Sequence, residues 1–350
     1  NPVVRFRCLI KTNIPRRNFF MFNQDNNTNV EQAFQDIRKN GKKNDWRGKK
    51  IANIEYADLL SELHYRKAEN VKICAEVMRF EPTDTGHLKL KQTWFCKSKL
   101  CPLCNWRRSM KHSNQVVQVI DEAVKREASG RFLFWTLTSK NTYDGQELKK
   151  AMSEMTSAFN RLVKYKKVKK NLLGYLRATE VTVNSKDNSY NQHMHVLVFV
   201  KSTYFKNSEN YISQAELTEF WQKALKVDYT PILNMKAVKP KNKIKNSEKD
   251  LLGAVYETAK YPVKSVDYLT DNHDQNLKRV EDLEKGLANK RLFSYGGLLK
   301  KIRKELQLAD VEDEKSDLIE TDSEDDKDAT TGEEIVAYWN WERKNYFIKK

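Results

Sequence analysis

The chain has 350 residues, 39% of them hydrophobic, and a formal charge of +17, long enough for two or three domains with a sizeable core. Its apolar runs fall far short of the roughly 20 residues a membrane helix needs, and the N-terminal stretch lacks a signal-type apolar core, so the expected setting is the cytosol, with no membrane partner. Charge is uneven: residues 309–334 hold thirteen acidic residues and two lysines, a net of −11 that leaves +28 on the rest, an excess that points to a polyanionic partner.

Residues 1–45 are polar, rich in Asn, Lys and Arg, and without sustained period, which predicts a mobile arm. From Trp46 the pattern firms. Residues 57–77 have helical apolar spacing, and residues 89–95 alternate as a strand leading into a cysteine cluster. A long helix is expected through Val116, Val119, Ile120 and Val124, then a buried strand at Phe132 to Thr138. Asp144 is placed to cap a helix on which Leu148, Met152, Met155, Phe159 and Leu162 recur; it ends in a basic run with Lys166, Lys167, Lys169 and Lys170.

Two strands, residues 175–183 and 192–200, flank a turn-forming Asn-Ser-Lys-Asp-Asn-Ser stretch and predict an antiparallel hairpin. Residues 215–225 should be helical, and residues 235–249 form a second basic run with Lys239, Lys241 and Lys243. A short helix at residues 248–261 must stop near Pro262. Residues 283–308 read as largely helical around Tyr295-Gly296-Gly297. The acidic stretch reads as a disordered tether, and the aromatic segment at residues 335–350 as a piece that docks back on the body. The fold class is α+β. The expected division is arm 1–45, zinc-binding DNA-contact subdomain 46–112, catalytic domain 113–270, helical extension 271–308, tether 309–334 and docking segment 335–350.

Three groups of residues carry chemistry. His193 and His195 stand two apart on a strand and so share a face. If Val183 pairs with Gln192, Glu180 falls opposite His195 on that face, assembling two imidazoles and a carboxylate suited to Mg²⁺ or Mn²⁺. Glu257 and Tyr261 are four apart on a helical face; an unperturbed tyrosine is almost wholly protonated near pH 7, so a nucleophilic Tyr261 needs a cation or base beside it, for which Lys260, Lys264 and a bound metal are candidates. Cys96, Cys101 and Cys104 lie within nine residues, a spacing that suggests a structural zinc with Cys74 as fourth ligand and His87 or His112 as alternatives. Trp106, Arg107, Arg108 and Lys111 follow and are expected to meet DNA by stacking and phosphate contact.

The stretches from Cys96 to Arg108, Phe134-Trp135-Thr136-Leu137-Thr138, His193-Met194-His195, Glu257-Thr258-Ala259-Lys260-Tyr261 and Trp339 to Phe347 occur in an order that resembles the replication initiators of small rolling-circle plasmids in the HUH endonuclease superfamily. The likeness runs from about Trp46 to Lys350. It implies an antiparallel-sheet nuclease core flanked by helices, in which the histidines and a carboxylate hold a divalent metal on the scissile phosphate. Tyr261 would attack, giving a 5′-phosphotyrosine and a 3′-OH that primes a host polymerase. Glu257 would activate water for the terminating cleavage. Implied partners are the double-stranded origin and its extruded hairpin, a host helicase and polymerase, and a second copy in a homodimer. An HUH relaxase or transposase is disfavoured because a further histidine-rich element is missing. A zinc-containing regulator without catalysis would leave His193, His195 and Tyr261 unexplained.

Overall fold

The structure, a computed structural model, describes residues 31–38, 41–238, 253–255, 257–258, 263–313 and 316–348. Tyr256, Lys260, Tyr261, Lys239, Lys241, Lys243 and residues 1–30 of the expected arm lie outside the described residues.

Among the described residues, two five-stranded antiparallel sheets organise the fold. The first is built from β1 (Gln32–Ala33), β2 (Val77–Pro82), β3 (Leu88–Thr93), β9 (Ile335–Asn340) and β10 (Asn345–Ile348), in the order β1-β10-β9-β2-β3. The C-terminal aromatic segment is therefore a hairpin inserted between β1 and β2, with Trp339 and Tyr346 packed edge to face at 5.0 Å. Residues 31–38 and 41–45, expected in the arm, belong to the body: Ala33 pairs with Phe347 and the buried Asp36 accepts from Trp46 Nε1 at 2.7 Å. The helical spacing predicted over residues 57–77 begins earlier and breaks sooner. Helix α1 (Trp46–Glu62) is capped by Asp45 and followed by the short α2 (Ala68–Lys72), and residues 77–82 are a strand instead.

The second sheet contains β4 (Arg131–Thr138), β5 (Leu172–Val183), β6 (Tyr190–Val200), β7 (Leu233–Val238) and β8 (Phe293–Gly296), ordered β7-β4-β6-β5-β8. Helices cover both faces, which is why β6 is apolar on both sides along Val196 to Val200. One face packs Leu133, Trp135, Leu137, Met194 and Val196 against α4 (Gly145–Leu162) and α6 (Gln214–Leu225). As its spacing predicts, α4 starts at Asp144, whose carboxylate accepts from Gln146 N and Glu147 N at 2.8 Å each. The opposite face packs Phe132, Leu197, Phe199 and Tyr295 against α3 (Pro102–Arg126), Ala254, Val255 and α8 (Gly297–Glu305). Further helices among the described residues are α5 (Lys166–Asn171) and α7 (His273–Leu287).

Several expected boundaries give way to tertiary packing. The division at residues 112 and 113 falls inside α3, one continuous helix. Residues 271–308 are not a helical extension alone, because β8 completes the second sheet by pairing with β5. Gly297 makes the turn out of β8 at φ +57°, where a Cβ would meet Leu173 O at 2.3 Å. The acidic segment is no free tether: Val311, Leu318 and Thr321 are buried. It runs along α3, where Asn114 donates to Thr321 O and Gln115 to Ala309 O and Asp322, then joins the first sheet through a Thr83 to Thr330 bridge. Spaced apolar residues and basic partners, Lys111 on α3, Arg291 before β8 and Arg303 on α8, supply what its composition lacks.

Candidate metal centres

The β5–β6 hairpin aligns Glu180 directly with His193, Ala178 with His195 and Val181 with Gln192. This corrects the predicted register by two residues, and a shift of two keeps every side chain on its face. The triad survives because Ala178, opposite His195, is too small to fill the diagonal space that the Glu180 carboxylate then spans. Glu180 Oε2 lies 3.4 Å from His193 Nε2 and 3.2 Å from His195 Nε2. Burial opposes ionisation of Glu180, but hydrogen bonds and charge from His193 and His195 outweigh it and hold the carboxyl down at about 2.

Both rings are oriented from behind. His193 Nδ1 meets Asn191 O at 3.3 Å, and His195 Nδ1 meets Thr136 Oγ1 at 3.4 Å, Thr136 being its cross-strand partner on β4. When each Nδ1 donates to the oxygen behind it, a cation that displaces the Nε2 protons meets both Nε2 atoms beside Glu180 Oε2. Phe134 stacks on His195 at 5.5 Å. Glu257 brings its Oε1 to 3.7 Å from His195 Nε2, and Lys264 Nζ stands 4.0 Å from Glu180 Oε1. One oxygen and two nitrogen donors within 4.8 Å of one another make a donor set fit for a divalent cation. Of the other tyrosines near this segment, Tyr268 is buried and donates its hydroxyl to Leu100 O.

The second centre lies where β3, the turn before α3 and the loop after α2 meet. Cys74, Cys96, Cys101 and Cys104 form one cluster, unbridged by disulfides. Sulfur separations are 3.6 Å for Cys74–Cys104, 3.6 Å for Cys96–Cys104 and 3.7 Å for Cys101–Cys74. Tetrahedral Zn–S bonds of about 2.3 Å require sulfurs about 3.8 Å apart, so the cluster fits zinc. Lys97 N, Cys96 N and Asn53 Nδ2 approach the sulfurs at 3.2–3.4 Å. His87 and His112 are elsewhere. His87 bonds Thr83 and Thr85, and His112 packs at a tilt against Phe293 at 4.1 Å with Nε2 on the Tyr295 hydroxyl.

The expected DNA contacts divide. Trp106, Arg107 and Lys111 are buried: Arg107 donates to Leu318 O and Ile319 O, and Lys111 to Asp317 O. Their place as surface contacts is corrected: the acidic segment covers Arg107 and Lys111, and Trp106 packs edge to face on Trp46 at 4.7 Å. Arg108 is bound to Ser98 O, Lys97 O and Asn105 Oδ1, bracing the cysteine turn. Lys166, Lys169 and Lys170 are exposed, while Lys167 is paired with Glu216 at 2.8 Å. Among the described residues no helix is long and apolar enough to cross a membrane. Thr136, Asn191, Lys50 and Asn53 take their places from tertiary pairing, and in the sequence only the alternation of Phe134, Thr136 and Thr138 marks the first.

Residues 87–347 match the sequence profile of a family described as replication protein. A "Protein rep" of Lactiplantibacillus plantarum is 53% identical over 321 residues, covering 91% of this chain and all of the relative. A "Protein rep" of Streptococcus pneumoniae is 46% identical, covering 92% of this chain and 97% of the relative. A "Replication protein" of Staphylococcus aureus is 56% identical over 241 residues, 69% of this chain and all of the relative. No solved structure matches the chain.

Proposed function

We propose, from the premise that this chain belongs to the replication-protein family, that it is a rolling-circle plasmid initiator of HUH type, nicking one origin strand through Tyr261. The observation that carries this reading is the meeting of Glu180 Oε2 with both imidazole Nε2 atoms one short step from Glu257. Glu180, His193 and His195 would hold Mg²⁺ or Mn²⁺, which when bound polarises the scissile phosphate and stabilises its added charge.

Thr136 and Asn191 O keep the imidazoles in the ligating tautomer. Tyr261 gives up its phenolic proton and bonds the phosphorus; the 3′ oxygen leaves and ends as the 3′-OH that a host polymerase extends. Lys260 and Lys264 favour the phenolate by their charge. Glu257, already beside the triad, takes a proton from water in the terminating cleavage, so the second break needs no further tyrosine. Cys74, Cys96, Cys101 and Cys104 hold a structural zinc, and Lys166, Lys169 and Lys170 offer exposed charge to the DNA backbone. Host helicase, a cytoplasmic setting and homodimerisation follow from this reading.

Nicking of supercoiled origin plasmid with Mn²⁺ tests it. His193→Ala with His195→Ala should abolish nicking and keep duplex binding, Tyr261→Phe should lose covalent attachment, and Glu257→Ala should attach yet release product poorly. Duplex binding without nicking by the wild-type protein would favour a non-catalytic zinc regulator instead.

A further inference from the structure

We propose that Lys50 is the counter-charge of the four-cysteine centre and, with Asn53, the clamp that holds the Cys74 loop in ligating position; this rests on the zinc reading above. Lys50 is fully buried on α1. Its ammonium donates to Lys72 O at 2.6 Å and Cys74 O at 2.7 Å and stands 5.7 Å from the Trp341 ring centroid. Asn53, one helical turn on, donates to Val71 O at 2.9 Å and approaches Cys101 Sγ at 3.4 Å. Two side chains of one helix face thus grip three carbonyls of the segment that delivers Cys74.

Hydrogen bonds to carbonyls satisfy the ammonium protons but do not neutralise the charge, and a buried charge without an opposite one is strongly disfavoured. Burial weakens the hold of Lys50 on its proton, and Cys74, Glu76, Cys101 and Cys96 oppose that loss. Glu76, whose carboxylate also accepts from Trp341 Nε1 at 2.9 Å, shares this role with three members of the sulfur cluster. Four thiolates around Zn²⁺ carry a net charge of −2, which is itself costly to bury. Lys50 and the thiolate centre therefore answer one another. Bound metal makes the ammonium tolerable at its site, and the ammonium with the N–H donors offsets the surplus charge on sulfur.

Lys50→Gln keeps a donor and removes the charge. Elemental analysis of the wild-type protein comes first, followed by zinc competition against a chromogenic chelator with the fold checked by circular dichroism in excess zinc. The expected result is a zinc dissociation constant raised about 10- to 100-fold, with Lys50→Arg recovering most of it. A change below about threefold would overturn the proposal. If Lys50→Gln fails to fold even with zinc, ¹⁵N spectra of lysine-labelled wild-type protein decide: a three-proton ammonium at Lys50 supports the counter-charge, and a neutral amine overturns it. Wild-type protein without zinc would sink the zinc reading and this role together, whereas zinc-loaded protein indifferent to Lys50→Gln would sink the role of Lys50 alone.

Discussion

Thr136→Val removes one hydroxyl and nothing else of comparable size, so it isolates the orientation of His195. The hydroxyl lies 3.4 Å from Nδ1, longer than the usual hydrogen-bond distance of about 2.9 Å. The loss should therefore sit at the low end of the 10- to 100-fold range for groups behind metal ligands, about tenfold or ~1.4 kcal/mol. Valine suits a strand as well as threonine does, so stability should change by less than about 1 kcal/mol. The assay is Mn²⁺ titration, by calorimetry and by nicking rate. Half-saturating Mn²⁺ should rise about tenfold while the rate at saturation is largely kept, and Thr136→Ser should return within about threefold of the wild type. Unchanged Mn²⁺ affinity in Thr136→Val would refute the argument that this hydroxyl sets the tautomer.

Burial, with Arg303 nearby, pushes His112 down to about 3, while an unfolded chain takes up that proton near 6.5. The unfolded state thus binds more protons between those values. Stability from this site is present above about pH 6.5 and drains by up to about 1.4 kcal/mol per unit as pH falls toward 3; denaturant melts at pH 7 and 5 should show the slope, and His112→Phe should flatten it. Arg107→Met strands two carbonyls of the acidic segment and should cost about 2–4 kcal/mol, with faster proteolysis at residues 309–334. Lower duplex affinity from that variant with an unaltered melt would contradict its buried role. Replacing exposed Lys169 and Lys170 by Ala should reduce the slope of log affinity against log salt by about 2, and an identical slope would remove them from the DNA face.

Much of the candidate chemistry is legible because it depends on local period. Alternation puts His193 and His195 on one face whatever strand lies beside them, and three cysteines in nine residues mark a candidate metal site. Helix α4 is readable from Asp144 and its apolar steps for the same reason. Glu180 could be placed on the right face but not at the right rung, since two registers differing by two residues satisfy the same alternation equally well.

What the tertiary structure decided is which surfaces meet. Arg107 and Lys111 look like phosphate ligands in a basic run, yet they end beneath residues 317–322. The acidic segment looks too polar to fold, yet it is ordered by a face it could not meet within its own length. Strand β8 hides in a helical pattern because four residues take their conformation from pairing with β5, and Lys50 reads as one more surface lysine until α1 lies against the cysteines. Periodicity is a property of neighbours in the chain and can be read from it. Register, the burial of a charge and the partner that makes burial tolerable are properties of neighbours in space, set by packing and electrostatics only once the chain has closed on itself.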